Sequence, residues 1–280
     1  MGFVKQLFNF YINSSIHVAL SVYALTRISF IEFNLPDNDS VLYFNFFATI
    51  TGYNFVKYFG VAKFRYKDLA IWLRLIQLFS LLCFVLMLFF MAHLGTETLF
   101  YVAVFCVLTF LYAIPFLPKY SLLEKFGNLR SIGGLKVFLI ALIWTGVTVV
   151  LPLIESSALV VFDVFLTCAQ RFLFVVALML PFEIRDLQHD HLKLHTIPQV
   201  LGLFKTKLLG AVLLVVICVL QFFKNEYSPA LNLVLILIMS YTFLLILISK
   251  KEQRLYYSSF VVEAVPVVWW LLACFFVLGR

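Results

Sequence analysis

The sequence predicts an all-α fold, a polytopic membrane bundle of about nine transmembrane helices. Three observations carry that reading. The 280 residues are 64% hydrophobic and only 12% charged, against about 45–50% apolar and about 25% charged in soluble domains. Mean hydropathy is +1.04. The apolar residues form continuous runs of about 20, the length that crosses a hydrocarbon core as a helix, rather than the alternating pattern of a membrane barrel. Lys and Arg gather in every second break between runs, as the positive-inside rule requires. A soluble enzyme, a nucleic-acid binder and a secreted disulfide scaffold are excluded by the same numbers.

The runs, taken in order, are Tyr11–Ile31, Val41–Phe59, Ala70–Met91, Thr98–Leu117, Ile132–Leu153, Leu159–Phe182, Leu208–Phe223, Ala230–Ile248 and Ser259–Leu278. The first is interrupted by His17 and Arg27, the second by Asn45 and Asn54. An amphipathic stretch with one lysine, Lys5, precedes the first run. No small-residue cleavage site follows, so no signal peptide is expected. Leu35-Pro36-Asp37-Asn38-Asp39-Ser40 is a turn-rich acidic loop. Lys63 to Asp68 is basic and aromatic, Pro118 ends the fourth run, and Gly133-Gly134 opens the fifth. The reading is of a single membrane domain over residues 1–280.

With the start placed in the cytoplasm, the cytoplasmic segments hold Lys5; Lys57, Lys63, Arg65, Lys67 and Arg74; Lys119, Lys125, Arg130 and Lys136; Arg185, Lys193, Lys205 and Lys207; and Lys250, Lys251 and Arg254. The other side receives only Lys224 and Arg280. The net charge of +7 is therefore mostly topological and needs no nucleic-acid partner. The five cysteines all fall within runs, with no Cys-x-x-Cys pair, so neither a disulfide framework nor a thiolate metal site is expected.

The densest polar run is Pro181 to Gly202, at the cytoplasmic end of the sixth run. Glu183, Asp186 and Asp190 stand at i, i+3 and i+7, one face of a continuing helix. Three acids on one face repel unless a cation sits among them, and Mg²⁺ suits a few carboxylates plus phosphate oxygens. The alternative is a solvated helix end. His191 and His195 share the i, i+4 spacing of a zinc pair without the accompanying Glu, and an interfacial loop explains them as well. Arg171 and Glu263 lie inside runs, where charge is costly and marks candidate sites; a pair between them, lining the cavity, is one expectation. Arg27 is expected to snorkel toward Glu32. Tyr23, Phe47, Tyr53 and Trp144 are candidate cavity walls.

The stretch Glu183-Ile-Arg-Asp186-x-x-x-Asp190, then Lys193, Thr196-Ile-Pro198 and Leu201-Gly202, resembles the second aspartate-rich motif of the UbiA superfamily of intramembrane prenyltransferases. Leu111-Tyr112-Ala-Ile-Pro115 through Lys119 is similar to the family's segment after the fourth span, and Asn128, Gly134 and Trp144-Thr-Gly146 fit its fifth. The resemblance implies a helical bundle around a central cavity, where a polyprenyl diphosphate is held at the cytoplasmic face by two acidic motifs through Mg²⁺. The prenyl carbocation then passes to a small, possibly aromatic, acceptor. Carried over, Asp186 and Asp190 are the catalytic positions and, with Glu183, the metal ligands. Asn54, Lys57, Tyr112, Lys119, Arg185 and Lys193 contact the diphosphate or order the cap. The lipid bilayer is the implied partner, in a bacterial inner (cytoplasmic) membrane.

The departures are specific. The family's first motif, Asn-x-x-x-Asp-x-x-x-Asp, is met here by Asn54, Tyr58 and Ala62, so both aspartates are absent and Lys57, Lys63 and Arg65 stand nearby. Glu183 replaces an aspartate and Ala113 a serine. Two outcomes follow: cations neutralise the diphosphate directly, or the chain has lost transfer and keeps the fold as a pseudoenzyme that binds lipid or a protein partner.

Overall fold

A computed structural model describes residues 2–62, 71–113, 135–158, 162–188, 196–225 and 228–278. Every described element is helical: α1 (Phe3–Asn13), α2 (Ile16–Glu32), α3 (Asp39–Ala62), α4 (Ile71–Met91), α5 (Thr96–Ala113), α6 (Leu135–Glu155), α7 (Phe162–Asp186), α8 (Ile197–Gln221), α9 (Pro229–Ile248) and α10 (Tyr257–Val277). Among the described residues six helices, α4 and α6 to α10, are long and apolar enough to cross a membrane; α1 and α2 together make a bent seventh. The apolar part of α5, Thr96–Phe110, is shorter. The 24 residues of α3 carry Asn45, Asn54 and Lys57.

Helix ends follow local chemistry. Ser15 adopts φ 63° and breaks the first expected run into α1 and α2, bent by 57°. At the end of α2, Asn34 takes a positive φ of 48°. The Leu35 amide reaches back to the Phe30 carbonyl at 2.9 Å and the Asn34 amide to Ile31 at 3.3 Å, closing the helix with a left-handed cap. Ser157, φ 51°, closes α6 in the same way onto Leu153. Asn38 caps α3 by accepting the Val41 amide at 3.1 Å. The expected acidic loop is therefore a loop, bounded by two caps.

The seventh run begins eleven residues before the Leu208 expected from hydropathy, at Ile197. Pro198 sits in the first turn, where its missing N–H costs nothing, and the Thr196 amide donates to Gln199 Oε1 at 3.2 Å. Gly202 then bends the chain at φ 78°, ψ 164°, a conformation that essentially only glycine adopts.

Helices pack largely in chain order. The α3 helix lies on α2 and α4, α6 on α5 and α7, α8 on α7 and α9, and α10 on α9; α10 then returns to α2 and closes the bundle. The middle of α6 crosses to α2 through a π-helical turn at Gly146–Val150. Phe105 of α5 lies against Gly146 so closely that a Cβ there would meet its ring at 2.1 Å. The main apolar core joins Val22 and Leu25 of α2, Trp144 of α6, Phe174 of α7, Ile238 of α9 and Trp269 of α10. Outward faces, such as Leu78 and Leu82 of α4 or Phe204 and Val215 of α8, are exposed and apolar, as a lipid solvent allows. Gly210 lets α8 approach Leu180 and Ile246, the small-residue packing of membrane helices.

Candidate functional site

Charge concentrates at one end of the bundle, where α2, α6, α8 and α10 begin and α3, α7 and α9 finish. Three layers of side chains build it.

The first layer holds the α1–α2 break. Asn54, 3% exposed, accepts from Ser15 Oγ at 2.8 Å and donates to the Ser14 carbonyl at 3.0 Å and to Ser80 Oγ at 2.8 Å. Lys57 Nζ donates to Ser15 Oγ at 2.9 Å. The Tyr58 hydroxyl donates to the Asn13 carbonyl at 3.0 Å. Asn54 and Tyr58, one turn apart on α3, thus both pin the break.

The second layer lies beside it. His17 Nε2 is 2.9 Å from the Phe260 carbonyl, which can only accept, so that nitrogen carries the hydrogen. In the neutral ring Nδ1 then accepts from the Tyr11 hydroxyl at 2.7 Å. Ser21 donates to the backbone carbonyl of Glu263. Glu263 follows a second π-helical turn, Tyr257–Val262, and lies within electrostatic reach of Lys57 and Arg185. Lys57 is exposed and Glu263 half-buried at this end of the bundle.

The third layer is the end of α7. Glu183, 1% exposed, accepts from Lys136 Nζ at 3.0 Å. The same ammonium is 3.9 Å from Asp186 Oδ2. Arg185 grips Asp186 Oδ1 through Nε and Nη2, both at 2.9 Å, and lies over the Phe182 ring at 5.4 Å. Burying the Glu183 carboxylate alone would cost several kcal/mol; Lys136 removes that cost. Lys136 is the sole charge between Arg130 and Glu155, a signal that was read only as topology. Gln253 Nε2 closes this side on the Pro181 carbonyl at 2.7 Å.

Of the positions expected from sequence, Glu183, Arg185 and Asp186 are brought together, and Lys57 joins them through Glu263. Asn54 sits on the same end, in the α1–α2 break. Asp190, Lys119 and Lys193 lie outside the described residues, as do His191, His195, Lys63 and Arg65; for Tyr112 only the helical backbone is described. Among the described residues no three His, Cys, Asp or Glu side chains gather as a metal site. Lys136 pairs with both Glu183 and Asp186, and Asp190, the third acid of the expected metal set, lies outside the described residues.

Two expected pairings are corrected. Arg171 is not the partner of Glu263. It donates to the Leu25 carbonyl at 2.8 Å and Ser29 Oγ at 3.3 Å, lies 3.8 Å from Glu32 and covers the Trp269 ring at 5.5 Å. Arg27 turns to Asp37 at 2.5 Å rather than to Glu32. The reason is the five-residue spacing, which sets the two side chains about 140° apart around the helix: Glu32 faces inward to Arg171, while Arg27 faces the acidic loop. Of the aromatics named from sequence, Tyr23 and Phe47 lie in a series of ring contacts running from Trp270 through Tyr23, Phe46 and Phe47 to Phe90, and Trp144 Nε1 donates to the Tyr53 hydroxyl at 3.0 Å.

No family model matches the chain, and no curated protein matches it. Two solved structures do. A UbiA homolog from Aeropyrum pernix K1 aligns over 92% of this chain and 97% of its own, with a TM-score of 0.59 and 13% identity. A digeranylgeranylglyceryl phosphate synthase of membranes aligns over 96% and 95%, with a TM-score of 0.56 and 12% identity. The chain is an integral, multi-pass helical membrane protein with the fold of the UbiA-type prenyltransferases.

Proposed function

We propose that the chain binds a polyprenyl diphosphate at the charged end of the bundle and transfers its prenyl group to a small acceptor. The observation that supports this most is that Lys136 and Arg185 both pair with Asp186 at the end of α7, while Lys57 stands on α3 at the same end of the bundle. In this reading α3 and α5 complete a set of nine spans, the first of them bent, and the charged end faces the cytoplasm with the N-terminus. The three cations neutralise the diphosphate as the allylic C–O bond breaks, which is where charge develops. The aromatic side chains of Tyr23, Phe47, Tyr53 and Trp144 shield the prenyl carbocation. By the same family resemblance, Lys119, Lys193, Tyr112 and Asp190 are assigned to the head group as well.

A second reading keeps the lipid and drops the transfer. It is favoured by Tyr58 and Ala62, which stand where the family carries acids; Tyr58 is engaged with Asn13. The two readings separate in one experiment. Purified protein in lipid nanodiscs is given farnesyl, geranylgeranyl and longer prenyl diphosphates with a panel of aromatic and glycerol-phosphate acceptors, and pyrophosphate release is followed. Release that falls in Asp186→Asn and Arg185→Gln supports transfer. Binding without release at every chain length supports the second reading.

A further inference from the structure

Glu263 is an acid inside a membrane span whose carboxylate, among the described residues, takes no hydrogen bond and no ion pair. Charge at such a place is costly and marks a functional position. The backbone around it is held from two helices. The π-helical turn Tyr257–Val262 runs up to it, and its own amide reaches the Ser258 carbonyl, five residues back, at 3.2 Å. Pro266, in the first turn of the regular helix that follows, has no N–H to offer the Val262 carbonyl. Two side chains of α2, one turn apart, grip the same stretch. His17 Nε2 donates to the Phe260 carbonyl at 2.9 Å, and Ser21 donates to the carbonyl of Glu263 itself. Single π-turns within helices recur at functional sites. Here the turn fixes the position of Glu263 and leaves its carboxylate uncommitted.

That carboxylate stands within electrostatic reach of Tyr11 on α1, Lys57 on α3 and Arg185 on α7. It therefore lies on the side of α10 that faces those elements. Lys57 and Arg185 are two of the cations assigned above to the diphosphate. The carbon under attack, C1 of the prenyl chain, is one bond from that diphosphate. A group that takes the acceptor's proton must stand close to the same cations and be free to receive it. The described acids at the end of α7 are engaged, Glu183 with Lys136 and Asp186 with Lys136 and Arg185. Glu263 is half-buried at the same end of the bundle and is not.

We propose that Glu263 is the base of the transfer and receives the proton of the acceptor's hydroxyl. The C1–O bond breaks, and its electron pair leaves with the diphosphate. A lone pair of the acceptor oxygen forms the new bond to C1. The O–H pair returns to that oxygen, and the proton passes to the Glu263 carboxylate and then to water. The proposal rests on the transfer reading above, and its test separates the two. The full chain in nanodiscs is given geranylgeranyl diphosphate and the same acceptor panel. Glu263→Gln is expected to lower kcat by about a hundredfold, the low end for a positioned base, with KM for the prenyl diphosphate within about threefold of the parent. Glu263→Asp falls less. Added formate restores transfer to Glu263→Ala, because a free carboxylate then fills the role, which a merely structural loss would not allow. A parent that releases no pyrophosphate with any acceptor overturns the transfer reading and this proposal with it. An active parent matched by Glu263→Gln overturns this proposal alone. So does a loss that lies in KM for the prenyl diphosphate, which makes Glu263 a positioning partner of Lys57. A folded Glu263→Ala that formate does not revive also overturns it. If Glu263→Ala does not fold, the Gln and Asp variants still decide.

Discussion

Arg171 donates from Nη1 to the carbonyl oxygen of Leu25, 2.8 Å away and 146 residues earlier in the chain. The guanidinium is 2% exposed, deep in α7. It stitches the sixth hydropathy run to the first, with Ser29 and Glu32 of α2 taking its second nitrogen. Removing it leaves Glu32 without its cation. Arg171→Gln is expected to cost about 3 kcal/mol, the low end for breaking a buried ion pair. A double-mutant cycle of thermal stability with Glu32→Gln shows coupling, and the cycle with Glu263→Gln shows none.

Asn54 spends its amide on Ser14, Ser15 and Ser80. Asn54→Ala removes the side-chain donor to the Ser14 carbonyl and one of the partners of Ser15 and Ser80, at about 1–3 kcal/mol for an unsatisfied buried group. The expected result is a lower melting temperature with no ligand present. An unchanged melting temperature would show that the α1–α2 break is held by something else.

Gly202 sits at φ 78°, ψ 164°, with nothing near its Cβ position. The strain is therefore in the backbone and not in packing. Gly202→Ala is expected to cost about 1–3 kcal/mol, and Gly202→Val no less, since space is not limiting. Circular dichroism melts of the two variants check this. A neutral Gly202→Ala would mean that the bend is not needed.

Much of this was legible in the sequence. Apart from the first, which Ser15 splits, each hydropathy run met one helix, because composition alone places a segment in lipid. The caps at Asn34 and Asn38 sit inside the turn-rich loop that its Pro and Asn residues announced. What could not be read were partners across the bundle. Arg171 and Glu263 were matched as the two charges deep in runs, but sequence holds no distance. Glu32, expected as the partner of Arg27, was the inward-facing acid. Lys136 was hidden by the positive-inside rule, which explains any lysine near a span end and so masks one that turns inward. The start of α8 was missed because Pro198 reads as a break, although at a first turn it opens a helix. Of the second acidic motif, Glu183, Arg185 and Asp186 hold together in space, whereas Asp190 and Lys193 lie outside the described residues.

The central claim is that a diphosphate head sits among Lys57, Lys136 and Arg185. Equilibrium binding of geranylgeranyl diphosphate to the parent chain, Lys57→Met and Arg185→Gln in nanodiscs tests it most directly. The account predicts saturable binding to the parent and a loss of about tenfold in each variant, the scale of one charge-assisted contact, with melting temperatures unchanged. Variants that bind as tightly as the parent, or a parent that does not bind, would contradict it.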